Sequence, residues 1–125
     1  MDLNHISGTI VDASIKVHSS LGPGLLESVY LKCLQYELRK RGLQAESEIP
    51  VPVVYDGVHI ETGYRLDLLV EYEVIVETKS VDEVPPLLKA QVLSYLRLKK
   101  KKPGLLLNFN VEHMKDGIFR LVNNL

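Results

Sequence analysis

Two apolar runs near the middle of this chain carry charges that such runs do not tolerate unpaired: Tyr64-Arg65-Leu66-Asp67-Leu68-Leu69-Val70 and Val74-Ile75-Val76-Glu77-Thr78-Lys79. Near-continuous apolar runs of this length belong to strands covered on both faces. An ionised carboxylate in that setting is strongly disfavoured unless something pairs or neutralises it. Strand side chains alternate, so Glu77 and Lys79 share one face and Thr78 takes the other. The short polar link Glu71-Tyr72-Glu73 lets the second run fold back on the first, bringing Asp67 beside Glu77. Asp67, Glu77 and Lys79 together read as a site that holds a cation.

The chemistry such a site fits is metal-dependent phosphodiester hydrolysis. Magnesium takes oxygen ligands and commonly needs only one or two protein carboxylates, with water and substrate phosphate filling the rest of its shell. Asp67 and Glu77 can supply them. Lys79 can orient or help deprotonate an attacking water and offset charge developing on phosphorus. The ordinary alternative is an exposed Glu-x-Lys pair on a sheet face, a very common arrangement. The apolar context of both strands argues for the site.

Length and composition set the frame. At 125 residues, 46% hydrophobic and 25% charged, the chain reads as one domain, residues 1–125, with one modest core. A net charge of -1 argues against a protein that coats nucleic acid without specificity, although a local basic patch can still bind it. The single cysteine, Cys33, excludes an intramolecular disulfide and falls in a helical apolar pattern. With no signal-peptide pattern and no apolar run of membrane-spanning length, a cytoplasmic location is expected.

The periodicity predicts two helices, several strands, a third helix and two more strands. Asn4 or Ser7 is the expected cap of a first helix with Ile6, Ile10, Ala13 and Val17 on one face. Leu21-Gly22-Pro23-Gly24 breaks it, and residues 25–41 form a second helix stopped by Gly42. Residues 49–55, interrupted by Pro50 and Pro52, read as an edge strand that Asp56-Gly57 turns into Val58-His59-Ile60. After the two charged strands, Pro85-Pro86 opens a third helix that ends before Pro103-Gly104. Leu105-Leu106-Leu107 marks a buried strand, and residues 118–122 a last one. The order describes an α/β fold with a mixed sheet flanked by helices, the strand after the third helix lying parallel to its neighbour through a crossover, and a cleft where strands diverge.

Gly24-Leu25-Leu26-Glu27-Ser28-Val29-Tyr30 resembles the signature of the GxxExxY proteins of the PD-(D/E)XK nuclease superfamily. The similarity runs through Val17-His18, the two charged strands, Ala90-Gln91 to Tyr95-Leu96, and Leu107-Asn108-Phe109. It implies a restriction-endonuclease-like core, hydrolysis of DNA and a Mg2+ or Mn2+ cofactor. It also implies that Glu27 joins Asp67 and Glu77 as a metal ligand, that Glu77 and Lys79 are the Glu-x-Lys pair, and that Gln91 with Tyr95 forms a Gln-x-x-x-Tyr helix motif beside them. This chain has Glu77-Thr78-Lys79-Ser80 where relatives commonly show Glu-Leu-Lys-Ala, and Leu88 where they often show histidine.

Other residues have two readings. Tyr30, one turn from Glu27, is either a core tyrosine or, following the resemblance, a substrate contact. Arg97 and Lys99, with the lysines that follow, either grip phosphate or form a solvated cationic helix end. His18 is expected to cap or pack near the Gly-Pro-Gly turn, and the four histidines show no zinc spacing. A domain this small that cuts both strands of a duplex needs a second copy, so a homodimer is one expectation. The competing functional class is a non-catalytic nucleic-acid-binding or protein-interaction module on the same fold, motivated by Leu88 and the acidic balance.

Overall fold

The computed structural model describes residues 1–124 and forms three layers. Helices α1 (Leu3–Leu21) and α2 (Glu27–Lys40) cover one face of a five-stranded sheet, and α3 (Pro86–Lys99) covers the other. The sheet contains β1 (Ala45–Pro50), β4 (Arg65–Val70), β5 (Val74–Lys79), β6 (Pro103–Asn108) and β7 (Ile118–Val122), side by side in that order. Strands β2 (Val53–Tyr55) and β3 (Val58–Ile60) make a separate hairpin. All pairs in the large sheet are antiparallel except β5 with β6, which the α3 crossover makes parallel. The expected fold class and crossover are therefore observed. Among the described residues no helix is long and apolar enough to cross a membrane.

Each face of the sheet seals a distinct core. Val70, Val74, Val76, Leu105 and Leu107 pack under Ile6, Ile10, Tyr30, Leu34 and Leu38 of the first two helices. Leu69, Ile75 and Leu106 pack under Val92, Tyr95 and Leu96 of α3. Alternate residues of β5 and β6 thus serve opposite layers, which is why these strands are apolar throughout.

Local differences from the sequence reading have clear causes. Asp2 caps α1, accepting a 2.8 Å hydrogen bond from the His5 N–H, so neither Asn4 nor Ser7 is the cap. The segment with Pro50 and Pro52 is two strands: β1 ends at Pro50, and only it joins the large sheet, as an edge. At Asp56-Gly57 both residues have positive φ, 51° and 75°, the geometry of a tight hairpin turn. Glu71 and Tyr72 repeat it between β4 and β5. A short 3-10 turn, Met114–Gly117, at the polar turn that Asp116-Gly117 marks in the sequence, carries the chain from β6 into β7.

That turn fits only because Gly117 lacks a side chain. A Cβ there would stand 1.9 Å from the Asn108 carbonyl oxygen, whereas one at Gly8 in α1 would meet nothing within 4 Å. Gly117→Ala should destabilise the protein by roughly 3 kcal/mol, and Gly8→Ala should stabilise it by about 0.5–1 kcal/mol. Urea unfolding of the two variants checks both signs.

Candidate active site

The sheet parts between β4 and β5. Their ladder runs from Val70↔Val74 to Leu68↔Val76 and stops, so Asp67 and Glu77 are no longer a backbone pair. Side chains take over the lost hydrogen bonds. The Asp67 N–H donates to Glu77 Oε1 at 3.3 Å, and the Thr78 N–H and hydroxyl donate to Asp67 Oδ2 at 2.8 and 3.0 Å. On the other side of β4 the residue facing Asp67 is Glu48, whose φ of 58° interrupts β1 between the pairs Ser47↔Leu68 and Ile49↔Leu66. Leu66 packs on the α3 side and Leu68 on the α1 and α2 side, so alternation is interrupted at Asp67.

The carboxylates create a strong local field. Glu77 is only 4% exposed. Burial first, and then the negative charge of Asp67, push its carboxyl from the ordinary 4.5 up to about 9. Glu27 is the first residue of α2 and is also shifted upward, mainly by burial, with Lys79 pulling the other way. Lys79 Nζ lies 3.7 Å from Glu27 Oε1. On the α3 side, burial and the charge of Glu77 raise the Tyr95 hydroxyl above its usual value, with the Gln91 side chain beside it. Asp67, Glu77, Lys79, Glu27, Gln91 and Tyr95 therefore gather at one end of β4 and β5.

Glu27 is reached through the loop before α2. The Tyr30 hydroxyl donates to the Gly22 carbonyl at 2.6 Å and accepts from the Leu25 N–H at 3.1 Å, while its ring stacks on Phe109 with centroids 4.6 Å apart. Ser80, just past Lys79, donates to the Leu25 carbonyl at 2.7 Å and ties the same loop to the end of β5. Gly24 turns the loop at a φ of 97°, where a side chain is strained. The spacing Gly24, Glu27, Tyr30 is thus a turn, an acid at the helix start, and a latch that fixes where the acid stands.

Several expectations change. Tyr30 is fully buried and both roles of its hydroxyl are spent on the loop, so it is a positioning residue and not a substrate contact. Arg97 and Lys99 do not join the carboxylates. They precede β6, whose first residues pair with β5 at Ile75, whereas Lys79 pairs with Asn108 four residues further on. At ~3.3 Å per residue, that separates the two ends by roughly 13 Å. Arg97 donates instead to Ser94. Glu27 is drawn into its ion pair with Lys79, and among the described residues no three His, Cys, Asp or Glu side chains stand close enough to hold a metal together. His18 donates through Nε2 to the Val111 carbonyl at 2.7 Å, in the segment after β6. Thr78, Ser80, Glu48 and Tyr64 were not singled out as site residues. Their roles arise from contacts between distant segments, and no local pattern marks them.

The donor set nevertheless suits a hard divalent cation. Asp67 and Glu77 are two oxygen donors side by side, and a cation between them would relieve the repulsion and burial that drive Glu77 upward. A cavity of about 340 Å³ lined by Leu26, Glu27, Ser28, Leu31, Glu48 and Asp67 opens onto Asp67.

The model of the PD-(D/E)XK nuclease superfamily matches residues 4–121, nearly the whole chain. The chain belongs to that superfamily, a class of nucleases that generally use divalent metal ions on nucleic-acid substrates. No curated protein and no solved structure matches it significantly.

Two measurements follow. In the metal-free protein Glu77 holds a proton that the unfolded chain releases above its ordinary pKa. The stability that Glu77 contributes should therefore be fully present below pH 4.5 and be lost as pH rises toward about 9. Melting temperatures across that window should show the fall, and Glu77→Gln should flatten it. Tyr30→Phe, which strands the Gly22 carbonyl and the Leu25 N–H, should cost about 1–3 kcal/mol in urea unfolding.

Proposed function

We propose that the chain is one PD-(D/E)XK domain of the GxxExxY type that hydrolyses phosphodiester bonds in DNA with Mg2+ or Mn2+. The observation carrying this reading is the pair Asp67 and Glu77, set side by side where β4 and β5 part, with Lys79 next along the strand. Asp67 and Glu77 are the residues that would hold the ion, and two carboxylates suffice for it. When bound, the ion supplies positive charge that makes a water acidic and offsets charge on the phosphate.

The remaining steps belong to the protein. Lys79 Nζ, steadied by Glu27, orients the attacking water and offsets charge on the pentavalent phosphorus. Glu27 would be a third residue holding the ion only if its side chain, at the start of α2, gave up its contact with Lys79. Gln91 and Tyr95, one helical turn apart, hold the α3 wall against Glu77. A cytoplasmic location and a homodimer that places two sites on a duplex are compatible with this reading.

The second reading is a non-catalytic nucleic-acid or protein-binding module, and the Glu27–Lys79 ion pair favours it, because it keeps the third carboxylate away from the other two. Manganese titration by calorimetry, followed by incubation with linear, circular and single-stranded DNA, separates the two. The nuclease reading expects metal binding and cleavage in the wild type. In Asp67→Asn, cleavage should fall on the order of a thousandfold, the loss of several kcal/mol of charge stabilisation. A wild type that binds no manganese and leaves every DNA intact supports the binding module.

A further inference from the structure

Resting on the nuclease reading, we infer that Tyr64 is a stacking platform for an unpaired base and that the substrate is single-stranded DNA, including single-stranded ends. Tyr64 stands three residues before Asp67, at the entry to β4. Its ring lies against Tyr95 with centroids 5.9 Å apart and planes tilted by 54°, yet the residue remains 50% exposed. Its backbone is pinned on both sides. The Tyr64 N–H donates to the Thr62 hydroxyl at 3.0 Å, and its carbonyl accepts from the Val51 N–H at 3.0 Å. Thr62 in turn donates to the Val51 carbonyl at 2.7 Å. An aromatic ring that leans on a second ring, on a backbone fixed by hydrogen bonds, and stays half exposed loses little entropy when a flat group lies on it.

The surroundings select which nucleic acid. On the α2 side, Leu26 next to Glu27 is 75% exposed and lines the cavity that reaches Asp67. Exposed aromatic and aliphatic side chains near the carboxylates suit a base, and bases present open faces only where they are unstacked. Duplex binding instead requires cations spaced along two phosphate backbones. This end of the molecule has few: Arg65 follows Tyr64, and Lys79 is engaged with Glu27. From Gly42 to Tyr64 there is no lysine or arginine, while Glu46, Glu48, Asp56 and Glu61 add negative charge. The lysines at 99–102 lie toward the opposite end of the sheet. Affinity near the scissile phosphate must then come from stacking more than from charge, with Tyr64 setting the position of the strand over Asp67 and Glu77.

The test uses the full chain with Mn2+ and a labelled 20-nucleotide single strand, its duplex, and the same strand with one abasic site walked across the cleaved position. The wild type should bind and cut the single strand at least ten times better than the duplex, and an abasic site at one position should weaken it. Tyr64→Ala should raise KM for the single strand about 10-fold with little change in kcat, and should no longer respond to the abasic site. Tyr64→Phe should restore both properties. Tyr36→Ala, an exposed tyrosine of α2 away from the site, should behave as wild type. Cleavage with duplex preferred, an unchanged KM in Tyr64→Ala, or an abasic effect that persists in it overturns the stacking role and leaves the nuclease reading standing. Absence of binding and cleavage on every DNA overturns both.

Discussion

The structure depends on the exchange of hydrogen bonds at the point where β4 and β5 separate. Antiparallel strands that part inside a covered sheet leave backbone groups without partners, which is costly in a dry interior. Here the Glu77 carboxyl takes the Asp67 N–H and the Asp67 carboxyl takes the Thr78 N–H. The groups that define the candidate metal site are therefore also the groups that make the parting tolerable. This ties site geometry to sheet geometry: neither carboxylate can swing away without stranding a backbone donor. It also explains how two acids persist among apolar neighbours, since each carries a structural hydrogen bond as well as an electrostatic burden.

The second support comes from the loop between α1 and α2. Tyr30, stacked on Phe109 at the end of β6, reaches back to Gly22 and Leu25, and Ser80 reaches the same loop from the end of β5. Asn108 closes the other side by bonding the Val81 N–H and carbonyl. Glu27, Lys79 and the loop after it are thus held by side chains that bury themselves in the core and leave only their polar ends near the site. Such support keeps functional groups on rigid elements and leaves their charged ends free to rearrange.

Much of this was legible in the residues. The helical spacing of Ile6, Ile10, Ala13 and Val17, the apolar runs of β4 to β6, and the turn at Asp56-Gly57 each encode a local conformation, and each was found where expected. The adjacency of Asp67 and Glu77 was legible too, because a short link between two strands forces antiparallel pairing. Periodicity could not separate β1 from β2 cleanly, since prolines at 50 and 52 are compatible with either a broken edge strand or two strands. Nor could it choose between the readings of Tyr30, because an apolar helix face buries an aromatic ring whatever its hydroxyl does.

Sequence alone determined the kind of protein: the elements, their order, and two acids and a lysine that no apolar strand pair would carry without a purpose. Tertiary structure decided which groups meet. Periodicity assigns a side chain to a face of its own element, but which end of one element lies beside another depends on crossovers and packing. The parallel return through α3 moved Arg97 and Lys99 away from the carboxylates. Packing on Phe109 turned Tyr30 inward, and the helix start placed Glu27 against Lys79. The same assembly set Tyr64 against Tyr95, a contact between residues 31 positions apart that no local pattern encodes.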